Sequence, residues 1–151
     1  MKGIKLQVAI VGLLLIGLIG CASMKAPTVT DFDQITAAKT AYVVEANTST
    51  DEMRLAVQKA ISDIGIATWC GPLQEKPEKM DIYVKVGDNW RWDLAMYLSE
   101  LDVTIYDNQT DKMLATAGYK NTGFFHSFPN ADEKAKEVVN SIFNENYTGH
   151  K

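Results

Sequence analysis

The first twenty residues constrain the chain more than any other segment. Lys2 and Lys5 precede an apolar run, 8–20, that only glycine interrupts. Thirteen helical residues reach about 20 Å, which is short of the roughly 30 Å hydrocarbon core of a bilayer. The run also lacks the caps and the polar face that a buried core helix would need. A basic start followed by a short apolar stretch is typical of a secretory signal peptide, and we assign 1–20 to it.

The tetrapeptide that ends this run, Leu18-Ile19-Gly20-Cys21, resembles the bacterial lipobox. The resemblance implies that the sulfur of Cys21 receives a diacylglycerol group and that the precursor is cut after Gly20. The residue type fits, because a thiol supplies the nucleophilic sulfur for a thioether. Two or three acyl chains would hold the protein stably on its membrane. In such lipoproteins, an aspartate directly after the lipidated cysteine would imply retention at the inner membrane. This chain has Ala22 there, which implies the periplasmic face of the cell outer membrane.

Removal of 1–20, which contains Lys2 and Lys5, shortens the chain from 151 to 131 residues and changes its net charge from −4 to −6. That size favours one domain. The 46% apolar and 23% charged residues exclude wholesale disorder, and the acidic balance argues against nucleic-acid binding. With Cys21 lipidated, Cys70 has no intrachain disulfide partner, and we expect it to be buried.

Periodicity predicts two helices in the remaining chain. Ser49 and Glu52 form a capping box before a helical apolar stripe that ends at Gly65. Asn130 caps a second helix, 131–147, which carries acids in its first turn.

Alternating apolar residues predict about five strands between and before these helices. Leu94 to Asp107 changes the parity of its apolar positions, which predicts a bulge near Ser99 and Glu100. The order of elements indicates an α+β domain, with a mostly antiparallel sheet and two helices packed on one face. The predicted strands are 40–46, 66–69, 80–87, 94–107 and 113–120.

These elements divide the chain into four parts. The signal peptide, 1–20, is followed by a lipidated terminus and tether, 21–39, with no sustained period. The α+β domain occupies 40–147, and 148–151 is a flexible tail.

Two aromatic segments are the candidate contact sites. In an extended Asn89–Asp93, Trp90 and Trp92 project to one face, with Arg91 on the other. The tryptophans either bind a sugar or a protein partner, or cover one end of the sheet. Phe124 and Phe125 belong to a second aromatic segment, 122–129, which could contribute to the same contact.

The Trp-x-Trp-Asp segment leads into a long strand, 102–107, then a turn and the strand 114–119. Together with the lipobox and the first helix, it resembles small uncharacterised outer-membrane lipoproteins of Gram-negative bacteria, related in architecture to the amino-terminal domain of TolB and to CsgG-like periplasmic domains. The resemblance covers about 40–147. It implies a helix-on-sheet fold and a periplasmic location, and it brings no catalytic residues.

No motif for a phosphate loop, a zinc site or paired catalytic carboxylates is present in the sequence, and we predict no metal and no cofactor. The leading hypothesis is a non-enzymatic, lipid-anchored envelope lipoprotein that binds or supports a periplasmic partner. The alternative is a cell-envelope hydrolase or glycan-binding enzyme that uses His126 or Cys70, because a catalytic site needs no local signature.

Overall fold

A computed structural model describes residues 22–122 and 130–144, which alternate between strands and helices. The strands are β1 (Ala22–Val29), β2 (Thr40–Glu45), β3 (Ala67–Pro72), β4 (Ile82–Asp93), β5 (Ala95–Asp107) and β6 (Met113–Asn121). The helices are α1 (Phe32–Ala37), α2 (Asp51–Asp63) and α3 (Ala131–Phe143), and a 3₁₀ turn spans Leu73–Glu75. None of the helices in this part of the chain is long and apolar enough to cross a bilayer.

The strands form one mixed sheet in the order β1-β6-β5-β4-β2-β3. β2 runs parallel to β3 and β4, and the remaining neighbours are antiparallel. α2 makes the crossover between the parallel strands β2 and β3, as a parallel pair requires. The predicted α+β fold is therefore confirmed, with six strands in place of about five.

The core lies between one face of the sheet and the helices α2 and α3, as predicted. α2 begins after Thr50, whose hydroxyl accepts a hydrogen bond from the Met53 amide, so the expectation that Ser49 caps it is wrong. Gly65 follows α2 with a φ of 94°, a left-handed conformation that favours glycine. Asn130 caps α3 as expected. The opposite face of the sheet carries a smaller cluster in which the rings of Tyr83 and Tyr106 stack.

The prediction that 22–39 is a tether without regular structure is wrong for the described residues. β1 pairs with β6 from Ala22 onwards, and Asp31 caps α1 by accepting a hydrogen bond from the Gln34 amide. Ile35 of α1 is fully buried in the main core. The segment therefore belongs to the domain, and Ala22 at the start of β1 follows Cys21 directly in the sequence.

The bulge expected near Ser99 and Glu100 is present. Asn89 pairs with Glu100 and the next residue, Trp90, pairs with Leu98, so Ser99 is the extra residue on β5. The Ser99 hydroxyl donates a 2.8 Å hydrogen bond to the carbonyl of Asn89. The bulge resolves the parity change, because it allows apolar residues on both sides of it to face the core.

The turn between β5 and β6 is built around Asp107. Its carboxylate accepts hydrogen bonds from the Gln109 amide, the Thr110 amide and the Thr110 hydroxyl, and from the side-chain amide of Gln34 in α1. The Thr110 hydroxyl is the main reason that the pKa of Asp107 lies below its ordinary value of 3.8. The sequence 107–111 is thus a turn, as expected, and it also joins α1 to the sheet.

We expect Asp107→Asn to lower the stability at neutral pH and to weaken the acid dependence of unfolding. A carboxyl with a lowered pKa contributes stability that is complete above its unfolded pKa and is lost as the pH falls through its folded pKa. The difference between wild type and variant should therefore be largest at pH 7 and should shrink below the ordinary value of 3.8. Urea unfolding at several pH values measures it, and a difference independent of pH would contradict this role.

Candidate functional site

The β4–β5 hairpin extends beyond the rest of the sheet. β2 pairs with β4 only over Ile82–Val84, and β6 pairs with β5 from Glu100 onwards. Within the described residues, 90–93 and 95–98 pair only with each other. This part of the hairpin is therefore a two-stranded ribbon. An isolated two-stranded ribbon is only marginally stable, so it needs contacts in addition to its own strand pairing.

The base of this ribbon is fixed to the domain through Trp90 and Asp88. Trp90 is partly buried and packs against the main core, opposite the fully buried Leu98. Its indole nitrogen donates a 2.6 Å hydrogen bond to the Asp88 carboxylate. Asp88 also accepts hydrogen bonds from the Thr50 amide at 2.8 Å and the Thr50 hydroxyl at 3.0 Å. These contacts join the hairpin to the start of α2, and they account for Trp90 as a structural residue.

The end of the ribbon exposes three large apolar side chains, Trp92, Leu94 and Met96, which we call the hairpin tip. Trp92 pairs with Met96 across the ribbon, and their side chains are 72% and 54% exposed. Leu94 makes the turn and is 92% exposed. Clustered apolar residues on a surface are typical of an interaction site.

Leu94 has a φ of 62°, in the left-handed region. This conformation costs a residue with a Cβ about 1–2 kcal/mol, and glycine or asparagine adopts it more readily. Since the Leu94 side chain is almost fully exposed, no burial offsets that cost. The turn therefore keeps a large apolar side chain at a position where stability alone favours another residue.

The structure separates the predicted contact residues. Trp90 and Trp92 share a face, but only Trp92 reaches the hairpin tip, and Arg91 is exposed beside it. Phe124 and Phe125 lie outside the described residues, as do Gly20 and Cys21. Sequence analysis missed Leu94 and Met96. Apolar residues in a strand normally indicate a core, and the sequence does not show that the neighbouring strands end before this part of the hairpin.

Cys70, one of the two residues considered for catalysis, lies in β3 and is partly exposed. Its thiol is 3.9 Å from a carboxylate oxygen of Glu45, and Arg54 forms an ion pair with the same carboxylate at 3.7 Å. Desolvation raises the pKa of the Cys70 thiol, and Glu45 adds to this increase while Arg54 opposes it. A raised pKa favours the thiol over the nucleophilic thiolate. His126 lies outside the described residues.

The described part of the chain contains no cluster that could hold a metal ion, and one of its clefts lacks acidic and nucleophilic side chains. Residues 22–122 and 130–144 contain no group of three or more histidine, cysteine or acidic side chains that could hold a metal ion. A cleft between the end of α2, the loop after α1 and the end of α3 has Lys39, Asn140 and Asn144 as its principal polar lining. It contains no histidine, cysteine or carboxylate.

The fold resembles solved structures at low sequence identity. PelC from Paraburkholderia phytofirmans, solved as a dodecamer, superposes with a TM-score of 0.57 at 12% identity, over 82% of this chain and 97% of PelC. A PelC variant in another crystal form gives the same TM-score at 11% identity, over 82% and 98% of the two chains. Lipoprotein GNA1162 from Neisseria meningitidis gives a TM-score of 0.44 at 14% identity, over 72% and 99%.

At this level of identity the similarity to PelC establishes a shared fold. No protein-family model matches the chain, and no curated protein sequence matches it. The resemblance to TolB-like and CsgG-like domains stays a prediction.

Proposed function

We propose that this chain is a lipid-anchored lipoprotein of the bacterial envelope, held at the periplasmic face of the outer membrane, that acts by making contacts rather than by catalysis. The observation that carries the contact role is the hairpin tip, where Trp92, Leu94 and Met96 are exposed on a ribbon that leaves the sheet. The anchor rests on the lipobox that ends at Cys21.

Two features support a contact role over hydrolysis. The environment of Cys70 favours a protonated thiol, which is a poor nucleophile. The hairpin tip combines an exposed tryptophan with an unfavourable leucine conformation, and local strain of this kind is typical of functional positions.

Further copies of this chain are one class of partner that we propose. PelC, which shares the fold, was solved as a dodecamer. In the sheet described here, β3 is an edge strand without a charged residue, and Trp69 on it is about half exposed. β1, the other edge strand, carries Pro27 and Lys25, which disfavour pairing with another strand. Assembly would therefore use β3 more readily than β1.

The anchor is tested by Cys21→Ser in cells, with Cys70→Ser as the matched control. We expect wild type and Cys70→Ser to sediment with the membranes and to carry the mass of a lipid. Cys21→Ser should carry no lipid and should leave the membrane fraction, because several acyl chains supply the binding free energy at about 0.8 kcal/mol per buried methylene. A Cys21→Ser protein that still carries lipid would refute the anchor.

The contact role is tested in the same cells with a photocrosslinker at position 91, whose side chain is exposed beside the hairpin tip. Crosslinks to the molecule that the tip contacts, whether protein or lipid, should form with the wild-type tip and should disappear when Trp92 and Met96 are replaced by serine. An identical pattern in both proteins would show that the tip makes no specific contact.

A further inference from the structure

The hairpin tip and the start of β1 lie at the same end of the sheet. Ala22 on β1 pairs with Asn121 on β6, and the neighbouring Lys120 pairs with Glu100 on β5. From Glu100, β5 continues back to Ala95 at the turn of the hairpin. At a rise of about 3.3 Å per residue, Leu94 is about 15–20 Å beyond the level of Ala22.

The lateral separation of these two points is also small. β1 and β5 are separated only by β6 in the sheet, so they lie two strand spacings apart. At about 4.8 Å per spacing, the start of β1 and the base of the ribbon are about 10 Å apart. A lipid on Cys21, one residue before Ala22, would therefore bring a bilayer surface within reach of the hairpin tip.

The chemistry of the tip fits the boundary between lipid headgroups and acyl chains. Tryptophan is enriched at this boundary, because its ring is apolar and its N–H still reaches a polar partner. Leu94 is exposed at the turn and Met96 shortly after it, while Arg91 and Asp93 are exposed nearby on β4. Three apolar side chains can insert shallowly while the charged side chains beside them, Arg91 and Asp93, stay among the headgroups.

We propose that the hairpin tip, Trp92, Leu94 and Met96, docks on the same bilayer that holds the lipid of Cys21. The inference rests on the proposed anchor, and it names the lipid surface as the occupant of the tip. The two contacts are separated by about 10 Å across the sheet and about 15–20 Å along the strands, and together they fix how the domain stands on the membrane. This arrangement leaves the β3 edge, at the other side of the sheet, open to protein partners.

The test measures how deeply Trp92 enters the bilayer, with Trp69 as an internal control. Trp69 on β3 pairs with Tyr42 on β2, which in turn pairs with Tyr83 on β4. Trp69 is therefore level with Tyr83, nine positions before Trp92 on the same strand. That separation is about 30 Å along the strand. Trp69 is also substantially exposed, so the two indoles differ mainly in their distance from the proposed bilayer.

The lipidated full-length protein is placed in phosphatidylethanolamine–phosphatidylglycerol vesicles with brominated acyl chains, which quench tryptophan at short range. One variant keeps only Trp92 (Trp69→Phe, Trp90→Phe), and its matched variant keeps only Trp69 (Trp90→Phe, Trp92→Phe). We expect Trp92 to lose most of its emission relative to vesicles without bromine, and Trp69 to lose none. Adding Leu94→Asn, which suits the left-handed turn, should reduce the quenching of Trp92 without unfolding the domain.

The outcomes separate the docking from the anchor. An unquenched Trp92 on protein that floats with the vesicles overturns the docking and leaves the anchor intact. An unquenched Trp92 together with crosslinks between protomers assigns the tip to a contact between copies of the chain. That outcome also overturns the docking on the bilayer. Protein whose mass shows no lipid overturns the proposed anchor and the docking that depends on it.

Discussion

Replacing Ile35 by alanine should lower the free energy of unfolding by about 2–5 kcal/mol, the cost typical of removing a large aliphatic side chain from a core. Ile35 is completely buried in the main cluster, although it lies in the short helix α1, which precedes the predicted domain. α1 contacts β6 and α3, so the substitution leaves a cavity between elements that are distant in sequence. Denaturant unfolding of the purified domain measures the loss.

The matched control for Ile35→Ala is Leu55→Ala, which removes the same number of carbon atoms from an exposed position. Leu55 is on α2 and is 57% exposed, so its truncation should change the stability by no more than about 0.5 kcal/mol. Equal effects of the two substitutions would mean that 22–39 does not pack on the domain. That result would support the prediction that this segment is a tether.

Gly118→Ala should lower the free energy of unfolding by about 1–3 kcal/mol, the typical cost of overpacking. Gly118 lies in β6 between Lys25 on β1 and Asp102 on β5. Lys25 crosses above it to form ion pairs with Asp102 at 2.7 Å and Glu100 at 2.8 Å. An added Cβ would lie 2.7 Å from the carbonyl oxygen of Leu101, a backbone atom that cannot move away without disturbing the ladder.

Gly87→Ala is the corresponding control in β4, which is separated from β6 by β5. A Cβ at position 87 would meet only the carbonyl of Thr48 at 3.8 Å, which is an ordinary contact. Because glycine loses more conformational entropy on folding than alanine, Gly87→Ala should leave the stability unchanged or raise it by up to about 1 kcal/mol. Thermal unfolding of both variants separates the two cases, and a neutral Gly118→Ala would show that the β1–β6–β5 contact is looser than described.

The elements that sequence analysis predicted well are those whose pattern is local. α2 has Met53, Val57 and Ile61 at helical spacing, and the parity change before Val103 required a bulge. β1 and α1 have no comparable pattern. β1 is an edge strand with a proline and no fully buried residue, and its ladder forms only when β6 is in place. α1 has a single fully buried residue, Ile35, and one residue defines no period.

The candidate site was half predictable for a similar reason. Trp92 is conspicuous in the sequence because two tryptophans flank an arginine, but the same pattern describes both a core residue and a contact residue. The difference between Trp90 and Trp92 comes from where β2 and β6 stop pairing with the hairpin, and strand ends in a sheet are set by tertiary contacts. The conformation of Leu94 likewise depends on the register of the ribbon.

The start of the sheet at Ala22 limits how far the domain would reach for partners under the proposed anchor. Eighteen extended residues would allow the domain to roam up to about 60 Å from its lipid. With the proposed lipid on Cys21 and β1 beginning one residue later, the domain would instead sweep a layer little thicker than its own diameter of about 30 Å. Under the proposed anchor, the protein would diffuse in two dimensions, and a partner would have to come to the membrane surface to meet it.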